Sequence, residues 1–404
     1  MTKNLSKIRN IPMGTVAIGP LAKKLILETL DKNRLSYGDL SRKFERQFAD
    51  LHSVKYAIYT VSGTCALQMA LHTLKRIHGW KDGDEILVPA ITFIATSNIV
   101  LHNNLKPVFV DVLPDTYNID PSKIEKKITE KTKAIIPVHM YGLPADMDEV
   151  LEIAKRHKLK IIEDSCEAMM AKYRGKKVGS MGDFGCFSTY VVHIITTGVG
   201  GIVSTNNPEY AIKVRSLMNH GRDSIYLTID DDDNLAKKTV KEAFKMVDRR
   251  FSFTDVGYSY RLTEMEAALG IEQLNNIKQI IKKRQSNASY LKQGLKEFSD
   301  LIQLPIIPED RDHVFLGFPI VIKNKKIARD KLILFLEENG VETRYMMPLL
   351  NQPIYKEIFG KIESQYPVAR NINKYGFYIG CFPELEKKDL DYVIYIFKKA
   401  LKAL

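Results

Sequence analysis

Between residues 55 and 206, short apolar segments rich in β-branched residues alternate with segments of helical periodicity. This alternation is typical of α/β domains whose largely parallel sheet is buried on both faces. We predict seven strands, at 55–61, 85–89, 107–112, 134–139, 160–164, 185–190 and 201–205. We predict helices between them at 64–74, 95–102, 121–128 and 147–157. Ligands of such a sheet bind at the carboxyl ends of its strands.

The second half of the chain follows another pattern. Thr263-x-x-Glu266 is a capping box, and apolar residues then recur at near-helical spacing up to Ile281. We expect this long helix to join a large domain, 1–275, to a smaller one, 276–404. The smaller domain is predicted to contain a strand at 314–322 and helices at 328–339 and 387–404. The charged stretch 223–250 is predicted to be a surface loop that leads into a polar helix.

The composition, with 404 residues, 45% hydrophobic and 27% charged, is that of a soluble globular protein. The chain shows no secretory leader and no apolar run of about 18 residues, so we expect a cytoplasmic protein without a membrane segment. Its four cysteines form no CxxC pair, which predicts neither disulfides nor a metal site. The net charge of +12 comes from scattered lysines, and nucleic-acid binding is not expected.

Two segments place polar residues at strand ends. In 59–66 (YTVSGTCA) a strand turns into a helix at Gly63 and Thr64, where N–H groups and the helix dipole favour a phosphate. A plain turn capped by Thr64 explains this segment equally well. In 160–167 (KIIEDSCE) an apolar strand ends in carboxylates. Asp164 could hold a protonated ring nitrogen there, or it could simply cap a helix.

A third segment, 185–201 (GCFSTYVVHIITTGVGG), carries Ser188 and, five residues later, His193 into a glycine-containing loop. Glycines in such a loop permit positive φ or the close approach of a ligand. An imidazole can act as an acid or a base near neutral pH, although a lone loop histidine is more often a hydrogen-bonded surface residue. No one of the three segments defines a function by itself.

Together and in this order, the three segments resemble the DegT/DnrJ/EryC1/StrS sugar aminotransferase family, pyridoxal-phosphate proteins of fold type I. The resemblance extends from the segment with Gly38 and Phe44-Glu45 to the motif at 378–385 (YIGCFPEL). It implies an aspartate-aminotransferase-like fold, with a mostly parallel seven-stranded sheet in the large domain and a smaller C-terminal α/β domain. It also implies pyridoxal or pyridoxamine phosphate as the cofactor.

The resemblance assigns roles to the polar residues. Gly63, Thr64 and Ser188 would surround the cofactor phosphate. Phe93 would stack on the pyridine ring, and Asp164 would hold the ring nitrogen.

Two further cofactor positions depart from the common family pattern. Glu167 lies where many members have a glutamine near the phenolic oxygen of the cofactor, and some members share the carboxylate. Ser259 lies where the family commonly has an asparagine that reaches the phosphate of the neighbouring subunit, which implies at least a homodimer with shared active sites. Candidates for binding a nucleotide diphosphate or a glutamate carboxylate, each equally well a surface cation, are Arg222, Arg249, Arg250 and Arg344.

The largest departure is His193, at the position where the family's aminotransferases have the lysine that forms the Schiff base. Imidazole cannot form that bond, but it can act as a general base. The exchange resembles the sugar 3-dehydratases of the family, which use pyridoxamine phosphate to remove the C3 hydroxyl of nucleotide-linked 4-keto-6-deoxyhexoses. One dehydratase branch holds an iron–sulfur cluster with cysteines after a Gly-Arg-Asp stretch. Segment 221–226 (GRDSIY) has no cysteine, so the cluster-free members such as GDP-4-keto-6-deoxymannose 3-dehydratase match better.

Three functions remain open at this point. The first is a pyridoxamine-phosphate-dependent sugar 3-dehydratase in deoxysugar or surface-polysaccharide biosynthesis, with His193 as its base. The second is a nucleotide-sugar aminotransferase that takes nitrogen from glutamate. The third is a non-catalytic protein that binds the cofactor or a nucleotide sugar.

Overall fold

The computed structural model describes residues 8–223, 239 and 251–403. The main sheet contains seven strands: β1 (Tyr56–Thr60), β2 (Glu85–Pro89), β3 (Lys106–Val110), β4 (Thr132–Ile135), β5 (Lys160–Asp164), β8 (Phe184–Ser188) and β9 (Gly201–Thr205). Their spatial order is β1-β9-β8-β5-β4-β2-β3. Strand β9 is antiparallel to both of its neighbours, β1 and β8. The other neighbouring strands are parallel, so this sheet is mostly parallel. A separate hairpin follows β5 and consists of β6 (Lys172–Tyr173) and β7 (Lys176–Lys177).

Helices cover both faces of the main sheet. Those described before residue 220 are α1 (Pro20–Asp31), α2 (Asp39–His52), α3 (Gly63–His78), α4 (Ile94–His102), α5 (Pro121–Ile124), α6 (Met147–His157) and α7 (Pro208–Met218). Successive residues of β2 alternate between the two faces: Ile86 and Val88 belong to the apolar cluster that includes Leu67 of α3, and Leu87 belongs to the cluster that includes Val150 of α6. Burial on both faces explains why these strands are continuous apolar runs.

A second, antiparallel sheet lies in the C-terminal part of the chain. Its strands are β10 (Ile302–Gln303), β11 (Gly317–Ile322), β12 (Thr343–Tyr345) and β13 (Gly376–Gly380), in the order β10-β11-β13-β12. The described helices of this half are α8 (Glu264–Leu295), α9 (Arg329–Glu338), α10 (Pro353–Phe359), α11 (Pro367–Tyr375) and α12 (Lys387–Ala403). Phe318 of β11, Leu336 of α9 and Phe397 of α12 belong to one apolar core of buried residues.

Helix α8 organises the start of the chain as well as its end. The predicted capping box is present, with Thr263 and Glu266 exchanging side-chain and backbone hydrogen bonds. Two buried carboxylates of α8 then accept hydrogen bonds from the N-termini of other helices: Glu264 from Gly38 N and Ser41 N beside α2, and Glu272 from Gly19 N beside α1. Carboxylates at these positions satisfy N–H groups that lack a partner within their own helix.

The α/β architecture expected from the sequence is confirmed, and all seven predicted strands of the main sheet are present with ends shifted by at most four residues. The elements that were not predicted are strands β6, β7, β10, β12 and β13 and helices α1, α2, α7, α10 and α11. The division at residue 275 stays a prediction, and that residue lies inside helix α8. Most of the stretch 223–250 lies outside the described residues. Among the described helices, none is long and apolar enough to cross a membrane.

Candidate functional site

The three polar segments meet at the carboxyl edge of the main sheet, around Gly63. A Cβ atom added to Gly63 would lie 2.8 Å from Cys166 Sγ and 2.8 Å from Ser188 Cβ. These distances are too short for a side chain, so the first turn of α3 packs directly against the ends of β5 and β8. The fold therefore brings together segments that are more than 100 residues apart in sequence.

The N-terminus of α3 has the geometry of an anion site. Ser62, and not Thr64 as the simple turn interpretation had it, is the N-cap: its hydroxyl accepts a hydrogen bond of 3.1 Å from Cys65 N. The side chain of Thr64 is exposed, whereas Ser188 is only 7% exposed and lies at the end of β8. A phosphate at this point would meet the helix N-terminus together with two hydroxyl groups.

Asp164 is the last residue of β5, and its side chain is buried. Its Oδ2 accepts a hydrogen bond of 2.7 Å from Thr96 Oγ1, and its Oδ1 accepts one of 3.2 Å from Cys166 N. Burial raises the pKa of this carboxyl, and the donors from Thr96 and Cys166 oppose the rise. A buried carboxylate held at both oxygens is well suited to face a protonated ring nitrogen, because the opposite charge would stabilise its ionised form.

Phe93 immediately precedes α4, the helix whose Thr96 holds Asp164. Its ring is 58% exposed, although the residues beside it in sequence, from Ala90 to Thr92, are buried. An aromatic ring left open at the edge of a buried carboxylate site can stack on a flat heteroaromatic ligand. The stacking role assigned by resemblance therefore fits the structure but stays a prediction.

Glu167 is buried and lies three residues beyond Asp164. Its Oε2 accepts a hydrogen bond of 2.5 Å from Tyr141 N. Burial raises its pKa to about 8, and the charge of Asp164 adds to the effect. Tyr141 has a φ of 55°, and its ring lies 5.1 Å from that of Tyr378 between centroids. A non-glycine residue in this conformation is uncommon and is often found at functional sites.

His193 lies in the loop after β8, and its ring is partly exposed. The Nδ1 atom is 2.8 Å from the carbonyl oxygen of Cys166. Because a carbonyl can only accept, Nδ1 carries the proton in the neutral ring, and Nε2 is the basic nitrogen. Burial within the surrounding protein lowers the pKa of His193 to about 4, and the charge of Arg284 contributes to the decrease.

These observations test whether pyridoxal or pyridoxamine phosphate fits the site. A phosphate fits the start of α3, where only glycine is accommodated at position 63. For the pyridine ring, the exposed side chain of Phe93 is a candidate for stacking, and the buried carboxylate of Asp164 is a candidate for binding the ring nitrogen. The residues present therefore provide all three kinds of contact that this cofactor requires.

Three of the remaining candidates, Ser259, Arg222 and Arg344, are among the described residues. Ser259 is exposed and pairs with Asn219 in an isolated bridge. Arg222 lies over the Phe253 ring at 5.9 Å. Arg344 is exposed on β12, pairs with Glu342 and lies opposite Tyr378 in the strand register. Arg249 and Arg250 lie outside the described residues.

Sequence reasoning missed three contributors to the site. Thr96 and Tyr141 carry no local signal, because a threonine in an apolar helix and a tyrosine after a strand are common. Arg284 did carry one, since it is a charged residue in the apolar stripe of α8. Among the described residues, no group of three or more His, Cys, Asp or Glu side chains is arranged to hold a metal ion. The expectation of no iron–sulfur cluster stays a prediction.

The model of the DegT/DnrJ/EryC1/StrS aminotransferase family matches residues 17–398. The lipopolysaccharide biosynthesis protein RfbH of Salmonella typhimurium is 33% identical over 399 residues, which cover 96% of this chain and 91% of that protein. The GDP-perosamine synthase of Caulobacter vibrioides is 35% identical over 357 residues, which cover 88% of this chain and 89% of that protein.

A solved structure shows the same fold. The GDP-4-keto-6-deoxy-D-mannose-3-dehydratase of E. coli, with bound hydrated pyridoxal phosphate, superposes with a TM-score of 0.86 at 26% identity. The match covers 97% of this chain and 100% of that one. This chain therefore resembles, along nearly its whole length, both a protein named as a perosamine synthase and a protein named as a 3-dehydratase.

Proposed function

Because the chain belongs to the DegT/DnrJ/EryC1/StrS aminotransferase family, we propose that it is a dehydratase that removes the C3 hydroxyl of a nucleotide-linked 4-keto-6-deoxy sugar. The fold is that of the type I pyridoxal-phosphate enzymes, and the family binds pyridoxal or pyridoxamine phosphate and acts on nucleotide sugars. The proposal adds the outcome of the reaction and places it in deoxysugar or surface-polysaccharide biosynthesis.

One observation carries the proposal: the group at the loop position assigned to the catalytic lysine is the imidazole of His193. A histidine cannot hold the cofactor covalently as that lysine does. It can still accept a proton at Nε2, because the Cys166 carbonyl fixes the tautomer with the proton on Nδ1. With its pKa lowered to about 4, the ring is neutral at physiological pH and available as a base.

The other residues of the site bind and orient the cofactor. When bound, pyridoxamine phosphate supplies the nitrogen that reacts with the C4 ketone and the conjugated ring that accepts an electron pair. Asp164 holds the ring nitrogen in its protonated form, since its buried carboxylate is fixed by Thr96 and by Cys166 N. Gly63, Thr64 and Ser188 bind the phosphate. His193 takes a proton beside the ring, and because its pKa is low it can return one to the departing C3 oxygen.

A second function is supported by the names of relatives. The GDP-perosamine synthase is 35% identical to this chain, a higher identity than the 26% of the dehydratase structure. An aminotransferase would take nitrogen from glutamate and keep the C3 hydroxyl. With histidine at position 193, however, the described site offers no lysine in that loop, and we therefore prefer the dehydratase.

Further aspects of the proposal concern partners and location. We propose glutamate as the source of the amine that regenerates the cofactor, and Arg222, Arg249, Arg250 and Arg344 as candidates for its carboxylate or for the nucleotide diphosphate. We also propose a homodimer with shared active sites, which is supported by the exposure of Ser259, the position that the resemblance assigns to the phosphate of the neighbouring subunit. A cytoplasmic location stays a prediction.

The test is mass spectrometry of the products formed from pyridoxamine phosphate, glutamate and a panel of nucleotide-linked 4-keto-6-deoxy sugars. A product that lacks the C3 oxygen and carries no amine, with ammonia released, supports the dehydratase. A product that gains an amine and keeps the C3 hydroxyl identifies an aminotransferase and contradicts the proposal. Binding of cofactor without turnover of any sugar identifies the non-catalytic alternative.

A matched pair of variants tests the role of His193. His193→Asn should abolish dehydration while the cofactor still binds, because the amide keeps a donor for Cys166 O but is no base. His193→Lys places an amine at the same position, and it should form a covalent adduct with pyridoxal phosphate that shows an absorbance band absent from the wild-type protein. Full dehydratase activity of His193→Asn would contradict the assigned role.

A further inference from the structure

Arg284 carries a positive charge that is buried in the protein. It lies in the middle of α8 and is 4% exposed. Among the described residues Arg284 forms no ion pair within 4.0 Å, and the charge of Glu384 acts on it from a longer distance. Its guanidinium instead donates to carbonyl oxygens: the two N–H groups of Nη1 are shared among Phe315 at 3.1 Å, Leu316 at 3.2 Å and Cys381 at 2.7 Å, and Nη2 donates to His193 at 3.2 Å.

A charge in this environment is expensive to bury. Carbonyl dipoles compensate a cation less well than a carboxylate does, and burial lowers the pKa of Arg284 to about 10. Packing alone does not require it, since an apolar side chain of similar volume would fill the space without this desolvation cost. The neighbouring residue Asn287 makes a similar contact at a lower desolvation cost, because its neutral amide donates to the Phe382 carbonyl at 2.8 Å.

Arg284 differs from its neighbours on α8 because it also contacts the loop that carries His193. Gln285 and Asn287 donate to His313 O and Phe382 O, which belong to the C-terminal part of the chain. Arg284 makes the same kind of contact at Cys381, and its Nη2 also reaches the loop that carries the candidate base. One planar, five-donor group can join both segments at once, which an ammonium group cannot do as well.

We propose that Arg284 is a positioning residue for the reaction: it holds the backbone of His193 against the C-terminal segment so that the imidazole keeps one place in the site. The inference rests on the proposed function for the identity of the base. It extends that function by naming a residue that acts on the base without touching cofactor or sugar.

The contacts of His193 show how the positioning works. Its amide donates to Tyr190 O at 2.9 Å, its ring donates to Cys166 O at 2.8 Å, and its carbonyl accepts from Arg284. Loss of the Arg284 contact would leave the carbonyl end of the residue free to rotate. A displacement of about 1 Å of a catalytic group can reduce turnover about 100-fold.

Arg284 also acts on the ring through its charge. The titratable or charged groups that face the imidazole are Arg284 from α8 and Tyr190 from the same loop, whose ring centroid lies 6.5 Å away. Burial is the larger cause of the lowered pKa of His193, and the positive charge of Arg284 adds to it. Position and charge can therefore be separated by two substitutions, of which one keeps the charge.

The experiment compares Arg284→Met, Arg284→Lys and the control Asn287→Ala. Arg284→Met removes both position and charge, and we expect kcat to decrease about 10- to 100-fold with KM little changed. Arg284→Lys keeps the charge but not the planar guanidinium group, so we expect its kcat to lie between those of Arg284→Met and the wild type. Asn287→Ala removes a buried hydrogen bond of the same helix that does not reach His193, and its kcat should stay within about twofold of the wild type.

A second readout does not depend on activity. The imidazole NMR signal of His193 is identified, among the nine histidines, as the one missing from His193→Asn, and it is titrated in the cofactor-free protein. The pKa of His193 should rise in Arg284→Met and stay low in Arg284→Lys. If Arg284→Met does not fold, the chemical shift of His193 in Arg284→Lys is the deciding measurement, because a changed position alters the shift even when the charge is kept.

The outcomes separate the inference from the proposed function. Folded Arg284→Met with wild-type kcat and an unchanged His193 titration would overturn the positioning role, and so would an equal loss of kcat in Asn287→Ala. An unaltered His193 shift in Arg284→Lys would do the same. If the wild-type protein has no dehydratase activity, the proposed function fails, whereas the NMR titration still decides whether Arg284 positions His193.

Discussion

Thr96 donates a hydrogen bond of 2.7 Å from its hydroxyl to Oδ2 of Asp164. Since this uses the single proton of Thr96, the second contact of that hydroxyl, 2.7 Å to Thr92 Oγ1, must have Thr92 as the donor. Thr92, which lies before the N-cap of α4, and Thr96, in the first turn of α4, thus form a relay that ends on the carboxylate assigned to the cofactor nitrogen. The start of α4 is thereby tied to the end of β5.

The relay predicts a defect in cofactor binding. Thr96→Val keeps the shape of the side chain but leaves Asp164 Oδ2 without this donor, which raises the already elevated pKa of the carboxyl further. A hydrogen bond to a charged group contributes roughly 1.5–3 kcal/mol, so the Kd for pyridoxamine phosphate should rise about 10- to 100-fold. Absorbance titration measures this Kd, and Thr92→Val, which removes only the outer contact, should have the smaller effect. Equal affinity of Thr96→Val and wild type would contradict the relay.

The close approach at Gly63 makes a second prediction. In Gly63→Ala, the new Cβ would meet Cys166 Sγ and Ser188 Cβ at 2.8 Å, so the first turn of α3 must move away from the sheet. Such overpacking typically costs 1–3 kcal/mol, and a displaced helix N-terminus binds a phosphate less well. We expect a lower unfolding midpoint in urea and weaker cofactor binding.

Gly14→Ala is the control for this substitution. Its Cβ would meet Val192 Cγ1 at an ordinary 3.6 Å, and its unfolding midpoint should therefore stay near that of the wild type. If Gly63→Ala is as stable as Gly14→Ala, the close approach between α3 and the strand ends does not constrain position 63.

The strands of the main sheet could be predicted from sequence because burial on both faces makes each one a continuous apolar run. Strands β12 and β13 could not, for different physical reasons. β12 has only three residues, two of them exposed, and shows no apolar pattern. β13 lies in the recognised YIGCFPEL region but begins at Gly376, before that motif, directly after the last residue of α11.

The candidate site was predictable where a residue ends a strand or begins a helix, as Gly63, Asp164 and Ser188 do. The site was not predictable where contacts between residues that are distant in sequence determine its geometry. The N–H of Tyr141 reaches Glu167 because the backbone at Tyr141 adopts a positive φ, which no residue type nearby indicates. The hydrogen bond between Arg284 and His193 joins residues 91 positions apart.

The raised pKa of Glu167, about 8, predicts how stability depends on pH. In the unfolded chain this carboxyl ionises near pH 4.5, whereas the folded protein keeps it protonated up to about pH 8. Unfolding in this range therefore releases a proton, and the folded state loses stability as pH rises from 4.5 towards 8. Glu167→Gln removes the titration, because the amide is neutral and its oxygen can still accept from Tyr141 N.

Urea unfolding of the cofactor-free protein checks this prediction. At pH 8, Glu167→Gln should be more stable than the wild type by more than about 1 kcal/mol, and the difference should shrink towards pH 5. Glu130→Gln, at an exposed position, is the control and should show no such trend. A stability difference for Glu167→Gln that does not change with pH would mean that Glu167 is ionised in the folded protein.

For His52 we predict the opposite pH dependence, in which the folded protein loses stability at acidic pH. Its fully buried ring is stacked on Phe48 at 4.3 Å and packed edge-on against Phe187 at 4.7 Å. Burial lowers its pKa from 6.5 to about 3, and the charge of Lys177 adds to the decrease. The folded protein therefore keeps the neutral ring, while the unfolded chain takes up a proton below pH 6.5. The stabilisation is complete above pH 6.5 and is lost as pH falls towards 3.

His52→Phe removes this proton uptake and keeps an aromatic ring between Phe48 and Phe187. Any packing cost of the larger ring does not depend on pH, so it cancels when the free energies of unfolding at pH 7 and pH 5 are compared. Between these values, the wild type should lose roughly 2 kcal/mol more than the variant does. His102→Ala, at an exposed histidine, should follow the wild type. An identical loss in His52→Phe and wild type would show that the buried ring takes up a proton without unfolding.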